Sequence, residues 1–161
     1  MVASEGANVI LRKVAVDDRH QLFLWRNTQE IIDLSASQSR VTWKQHTRWF
    51  DHALALNNPL IYIIMDAHSP IGQVRFDLSD QTATISIYLI GENKGKGRGA
   101  FLITAGIKKL KSEASQITEV LAFIRSPNER SVRSFVAAGF KRIDPDENSA
   151  AGIRKFKLNV A

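Results

Sequence analysis

The stretch Lys94-Gly95-Lys96-Gly97-Arg98-Gly99-Ala100 constrains this chain more than any other. It follows the apolar run Ile85 to Ile90 and opens an apolar-periodic segment reaching about Lys111. A strand, a glycine-rich turn and a helix start together make an anion site. Glycines let the backbone approach a ligand closely. The first N–H groups of a helix lack intrahelical partners, and the helix dipole favours negative charge there. Lys94, Lys96 and Arg98 add countercharge, so a pyrophosphate is the expected guest. The spacing excludes the two commonest alternatives. A P-loop needs Ser or Thr after its lysine, but Gly97 follows Lys96. The dinucleotide fingerprint needs two residues before its last glycine, and only Arg98 separates Gly97 from Gly99. Taken alone, the loop also fits a basic surface turn.

The chain has 161 residues, which predicts one domain over 1–161 with a real core. It contains no cysteine, so it has no disulfide framework, thiolate zinc site or cysteine nucleophile. No histidine or carboxylate spacing predicts a metal site. No apolar run approaches the roughly 20 residues of a membrane helix. Met1 to Asn8 shows no basic region followed by an apolar one. A cytoplasmic protein without a membrane partner is the simplest expectation. The net charge is +6, with basic clusters at Lys94 to Arg98, at Lys108 to Lys111 and around Arg125 to Arg133. No nucleic-acid-binding motif accompanies them, which favours a phosphate-rich small ligand over nucleic acid.

Periodicity predicts a strand over Val9 to Lys13 and a helix from Val16-Asp17-Asp18 through Trp25. A second helix runs from Trp43 to Leu56. Strands follow over Leu60 to Asp66, Ile71 to Leu78 and Thr82 to Ile90, the last two a hairpin across Ser79-Asp80-Gln81. His68-Ser69-Pro70 reads as a turn. After the glycine loop and its helix come a strand at Val120 to Ile124 and a helix at Glu129 to Ala138. A strand pair, Phe140 to Ile143 and Ile153 to Asn159, closes the chain across the polar loop Asp144 to Gly152. The fold class is α+β, a single domain with a central mixed sheet.

That element order, with the glycine loop after the fourth strand, resembles the GNAT superfamily of N-acetyltransferases. The segment Asn128-x-x-Ser131-x-x-x-Phe135-x-x-Ala138-Gly139-Phe140 resembles the part of that superfamily that flanks the pantetheine of acetyl-CoA. The resemblance spans about Val9 to Leu158. It implies a mostly antiparallel sheet that splays after the fourth strand, flanked by helices. It also implies acetyl-CoA as co-substrate, held by Leu89, Ile90, Lys94 to Ala100, Asn128, Ser131 and Phe135. The N-terminal half narrows the likeness. Trp25-Arg26-Asn27, Ser35, Ser37, Trp43-x-x-His46-x-x-Trp49-Phe50 and Ile71-Gly72-Gln73-Val74-Arg75-Phe76-Asp77 look like the subgroup that acetylates nucleotide-linked amino sugars in pseudaminic acid biosynthesis. That subgroup acts on a UDP-linked 4-amino-4,6-dideoxy sugar. The expected partner is therefore a small-molecule amine. A monomer and a homodimer both fit.

The residues carry part of this reading unaided. His46, Trp49 and Phe50 share one helix face. Phe50 and Trp25 read as core, while His46 is either a satisfied structural histidine or a general base, a role open equally to Asp77 and to an ordered water. Arg26, Asn27, His46, Trp49 and Asp77 are candidates for the acceptor site. Trp25, Trp43, Trp49 and Phe50 predict an enclosed aromatic pocket. His20, His52 and His68 read as solvated. Along the fourth strand Ile85, Ile87 and Leu89 face one side and Thr84, Ser86 and Tyr88 the other. An N–H near Ile90 is the expected donor to the thioester carbonyl. Many enzymes of the superfamily place a tyrosine acid where Phe135 sits. Phenylalanine has no proton to give, which moves the acid to Tyr88 first and Ser86 second. Two other functions share these features: a protein or peptide N-acetyltransferase, and an acyl-CoA-binding module without turnover, for which Phe135 speaks.

Overall fold

Every residue from Leu60 to Ile64 is buried, which marks a strand covered on both faces at the heart of a sheet. In the computed structural model, which describes residues 8–35, 37–143 and 152–161, that sheet has seven strands. They are β1 (Val9–Lys13), β2 (Leu60–Asp66), β3 (Ser69–Ser79), β4 (Thr82–Leu89), β5 (Glu119–Arg125), β6 (Lys141–Ile143) and β7 (Ile153–Asn159), in spatial order β1-β2-β3-β4-β5-β7-β6. Only β4 and β5 run parallel. The helix α4 (Gly99–Glu113) makes the crossover that parallel neighbours require.

Side-chain alternation divides the interior in two. Leu60, Tyr62, Ile64, Val74, Phe76, Ala83 and Ile85 pack against Leu102, Ile103 and Leu110 of α4 and Phe135 of α5 (Glu129–Ala137). Ile61 and Ile63 face the other way, onto Leu22 and Trp25 of α1 (Arg19–Arg26) and Phe50 and Ala53 of α3 (Trp43–Leu56). Thr42 and Gln45 form a reciprocal capping box at the start of α3. The expected mixed, mostly antiparallel α+β architecture is observed.

The boundaries differ in places. A short helix, α2 (Gln29–Leu34), lies in the connection after α1, capped by Thr28. At six residues it is too short for helical periodicity to signal. Val16–Asp18 is a 3-10 turn, and α1 begins only at Arg19. Ser69 and Pro70 belong to β3, so the turn before it is the pair Ala67-His68, with Ala67 at a φ of 54°. Of the expected polar loop Asp144 to Gly152, only Gly152 is among the described residues, and of Met1 to Asn8 only Asn8.

Most important for function is where β4 and β5 part. They pair at Thr82–Glu119, Ala83–Val120 and Thr84–Leu121, and then pairing ends. Both strands continue, β4 to Leu89 and β5 to Arg125. The sheet therefore opens over Ile85 to Leu89, the splay expected from the resemblance.

Candidate active site

The glycine loop leaves an unusual number of backbone donors unused. Lys94 N–H bonds to Gly91 O, and the next loop or cap donor is Leu102, to Arg98 O. Among the described residues, the N–H groups of Gly95 through Phe101 have no protein acceptor. Gly95 and Gly97 both sit at a φ of 71°, where a Cβ would be strained. Arg98 is the N-cap of α4, and no side chain caps that helix. Free amides at a helix start, in a loop of alternating left-handed glycines, form a nest for an anion.

The cations around the nest are not those expected. Arg98 was a candidate countercharge, but its guanidinium turns inward and is only 7% exposed. It pairs with Asp66 at the end of β2 at 3.1 Å and donates to Asn93 O at 3.3 Å. The Asn93 amide in turn donates to Ile90 O at 3.0 Å. Arg98 thus ties the end of the loop to its beginning and to the sheet, and offers a ligand its backbone only. Lys94 is half-buried and ion-paired with Glu30 of α2. Burial, then the charge of Arg130, holds its ammonium below the usual lysine range. Arg130, on the first turn of α5, stands beside the loop: a Cβ added to Gly95 would meet its guanidinium at 3.5 Å. Lys96 is exposed. The basic set at the nest is therefore Lys94, Lys96 and Arg130. No local spacing signals Arg130, because it reaches the loop only through the packing of α5 on α4.

Hydrogen-bond parity on β4 decides which N–H near Ile90 is free. The Ile90 N–H donates to Ile71 O at 2.8 Å and is not free. Antiparallel pairs alternate between bonded and non-bonded. With Ile71–Ile90 bonded, the pairs Gln73–Tyr88, Arg75–Ser86 and Asp77–Thr84 are bonded too. The N–H groups of Ile87 and Leu89 then point away from β3, into the opening beside β5. Leu89, not Ile90, carries the free donor at the strand end.

On the face of the sheet that carries α1 and α3, a cleft of about 920 Å³ opens over β3, β4 and β5. Gln73, Arg75 and Asp77 of β3 form its floor with their cross-strand partners Tyr88, Ser86 and Thr84. Arg26, His46 and Trp49 line it from α1 and α3, and Asn128, Ser131 and Phe135 from the α5 side. Leu89, Ile90 and the loop 94–100 are not part of its lining. Among its described lining residues Asp77 is the only carboxylate, against Arg26, Arg40, Arg75 and Arg125.

Each side chain has a local reason for its place. Arg75 Nε donates to Asp77 at 3.1 Å, and its guanidinium lies 5.6 Å from the centre of the Trp49 ring. Arg26 donates to Ser39 O at 3.1 Å and to Ser37 Oγ at 3.2 Å, both neutral acceptors. Burial, and the nearby Arg75, pull its acidity upward. Tyr88 packs edge-on against Trp25 at 6.1 Å. Burial raises its phenol well above the usual range, while Arg75 and Arg26 pull the other way. The phenol is therefore protonated at neutral pH. His46 is 4% exposed among Phe23, Trp43, Trp49 and Phe50. It is hydrogen-bonded through Nε2 to Arg19 O at 2.8 Å, and burial lowers its pKa. With Nε2–H donating there, Nδ1 is its one basic atom. Asn128 caps α5 by accepting from Ser131 N–H at 3.2 Å and also lines the cleft. Phe135 is buried edge-to-face against Phe140 at 5.0 Å.

Two expectations fail. Asn27 does not line the cleft; its amide exchanges two hydrogen bonds of 2.8 Å with the Val41 backbone and pins the connection in place. The enclosed aromatic pocket reduces to Trp49. Trp25 and Phe50 are core, and Trp43 is 45% exposed on the far side of His46. Helical spacing showed which residues share a face but not which of them reach past the core. His20, His52 and His68 are exposed, as expected. No group of three metal-ligating side chains occurs among the described residues, and no helix among them is long and apolar enough to cross a membrane.

The chain matches the acetyltransferase (GNAT) domain model over residues 8–141 and belongs to that family. It is an acetyl-CoA-dependent N-acetyltransferase of GNAT type. Its fold is similar to that of the aminoglycoside acetyltransferase AAC(6')-Ib in complex with coenzyme A, at 22% identity and a TM-score of 0.78, covering 94% of this chain and 95% of that one. It is also similar to the spermidine N-acetyltransferase from Vibrio cholerae in complex with CoA and spermine, at 15% identity and a TM-score of 0.80, covering 95% and 96%. A domain from Methanocaldococcus jannaschii aligns at 22% identity with a TM-score of 0.77, covering 94% and 98%. No curated protein sequence matches the chain.

Proposed function

We propose that the chain transfers acetyl from acetyl-CoA to the primary amine of an anionic small molecule, a nucleotide-linked amino sugar. The observation that carries the acceptor class is the charge of the cleft. Among the described lining residues, Arg26, Arg40, Arg75 and Arg125 stand against one carboxylate, Asp77. Among the described residues, Arg26 and Arg40 bond only to neutral oxygens, Arg40 to Asn27 O at 3.4 Å. A polycation such as spermidine or an aminoglycoside meets repulsion there, whereas a pyrophosphate meets guanidinium donors built for it.

The roles follow from position. The nest of Gly95 to Phe101, with Lys94, Lys96 and Arg130, holds the coenzyme pyrophosphate. Bound acetyl-CoA supplies the activated acyl group. The opening between β4 and β5 admits its pantetheine arm, and the Leu89 N–H donates to the thioester oxygen as charge grows there. The acceptor lies on the floor of the cleft with its phosphates toward Arg26 and Arg40. Tyr88 protonates the departing thiolate. Water takes the proton of the amine; Asp77 pairs across from Thr84, roughly 16 Å along the strand from Leu89, and is out of direct reach. His46 serves α1–α3 packing: its ring is 4% exposed, enclosed by Phe23, Trp43, Trp49 and Phe50, and its Nε2–H holds Arg19 O.

The test is a thiol-release assay with acetyl-CoA and the UDP-linked 4-amino-4,6-dideoxy sugar, set against the same sugar without its phosphates. Loss of two charge-assisted contacts predicts a fall in kcat/KM on the order of 100-fold or more. Equal turnover of the two would remove the arginines from acceptor recognition.

A further inference from the structure

Among the described residues two buried polar side chains line the cleft, His46 and Gln73, and of the two only His46 has a hydrogen-bond partner. Gln73 is 5% exposed, in the middle of β3, between the buried Gly72 and Val74. Its carboxamide makes no hydrogen bond among the described residues, yet it lines the cleft. On the cleft floor Arg75 holds Asp77, and from α1 Arg26 holds the 37–39 connection. The rest of the side chain is buried, so a carboxamide without a protein partner that opens on the cleft is free to bond a ligand there.

Its position says which partner. Gln73 stands directly across from Tyr88, one register step from the Gly72–Leu89 pair. Leu89 carries the free N–H at the strand end where the thioester is placed, and Tyr88 is the acid. Gln73 therefore lies at the point where acceptor nitrogen and acyl carbon meet, rather than out by Arg26 and Arg40.

We propose that Gln73 is an acceptor-binding residue: its carboxamide oxygen takes a hydrogen bond from the reacting amine and turns the nitrogen lone pair toward the thioester. A neutral acceptor suits this task. A carboxylate there would stabilise the ammonium form, which has no lone pair to attack with. The inference rests on the acetyl-transfer reading of the cleft and adds to it the group that orients the nucleophile.

The experiment is Gln73→Met, which keeps length and volume and removes both the donor and the acceptor. Kinetics are measured by thiol release with the UDP-linked 4-amino-4,6-dideoxy sugar, and with spermidine and kanamycin in parallel. Thermal unfolding and calorimetric titration of acetyl-CoA are measured on the same sample. With whichever amine the wild-type protein acetylates, kcat/KM for the acceptor falls about 10–100-fold, the size of one or two hydrogen bonds. Affinity for acetyl-CoA stays the same. The melting temperature holds within about 4 °C, because the substitution breaks no hydrogen bond within the protein. A structural glutamine behaves oppositely: Gln73→Met then melts lower or fails to fold, and that result overturns the proposal. So does a stable variant with unchanged acceptor kinetics. If the wild-type protein acetylates spermidine or kanamycin but not the nucleotide sugar, the proposed acceptor class falls, and the Gln73 comparison is still decided on the amine it does use.

Discussion

Gly99→Ala is a minimal perturbation whose sign depends on geometry. Gly99 is the first residue of α4, at the rim of the anion nest. On helix propensity alone, alanine is favoured over glycine by about 0.5–1 kcal/mol. Packing opposes this. A Cβ on Gly99 would stand 2.8 Å from Ser134 Cβ and closer still to its hydroxyl. Real Cβ contacts do not come so close, and Ser134 Cβ is fixed to the backbone of α5, so no rotamer relieves the clash. Overpacking of this kind costs about 1–3 kcal/mol. The clash outweighs propensity by up to about 2 kcal/mol, equivalent to a melting temperature lower by up to about 8 °C at this chain length. The larger effect falls on the coenzyme, since α4 can escape only by moving its N-terminus, and with it the amides of Gly97 to Phe101. Affinity for acetyl-CoA by calorimetry should drop about tenfold or more. Gly99→Ala/Ser134→Gly removes the opposing Cβ and should recover most of that affinity. A single variant that is more stable and binds acetyl-CoA normally would refute both the α4–α5 contact and the nest.

Tyr88→Phe keeps the ring and removes only the proton, so turnover should fall on the order of 10²–10⁴; near-normal turnover with no solvent isotope effect would exclude the phenol as acid. Asp66→Asn removes the one anion paired with the buried Arg98. Asp66 is 39% exposed, which discounts the pair to about 1–2 kcal/mol, or about 2–8 °C in melting temperature, and KM for acetyl-CoA should rise while that of the acceptor does not. His46 has a folded-state pKa lowered by burial. Its contribution to stability is therefore full above the unfolded value of about 6.5 and is lost as the pH falls through the folded value. Between pH 7 and 5 the melting temperature of the wild type should fall more steeply than that of His46→Gln, and parallel curves would place the titration elsewhere.

Much of this was legible along the chain because it is local. The glycine loop, its flanking strand and helix, and the alternation of Thr84, Ser86 and Tyr88 are patterns within a few residues of one another. What was not legible depends on packing between distant segments. Arg98 reads as a loop cation until Asp66, thirty-two residues earlier, is seen to hold it. Arg130 reaches the loop only because α5 lies on α4. The free N–H moves from Ile90 to Leu89 because parity on β4 is set by the register with β3, which a single strand does not reveal. Trp43 looked like a pocket residue because helical spacing gives a face but not its depth. Gln73 reads as one more polar residue alternating with Arg75 and Asp77, and is set apart only by burial without a partner.

The central claim is that a coenzyme nest and a cationic acceptor cleft act together on an anionic amine. One reaction tests it most directly: the protein, acetyl-CoA and an equimolar mixture of the UDP-linked 4-amino-4,6-dideoxy sugar, spermidine and kanamycin, with products read by mass spectrometry at early times. The account predicts that the acetyl mass shift accumulates on the nucleotide sugar, ahead of both polycations by at least about tenfold. Acetylated spermidine or kanamycin as the main product would contradict it.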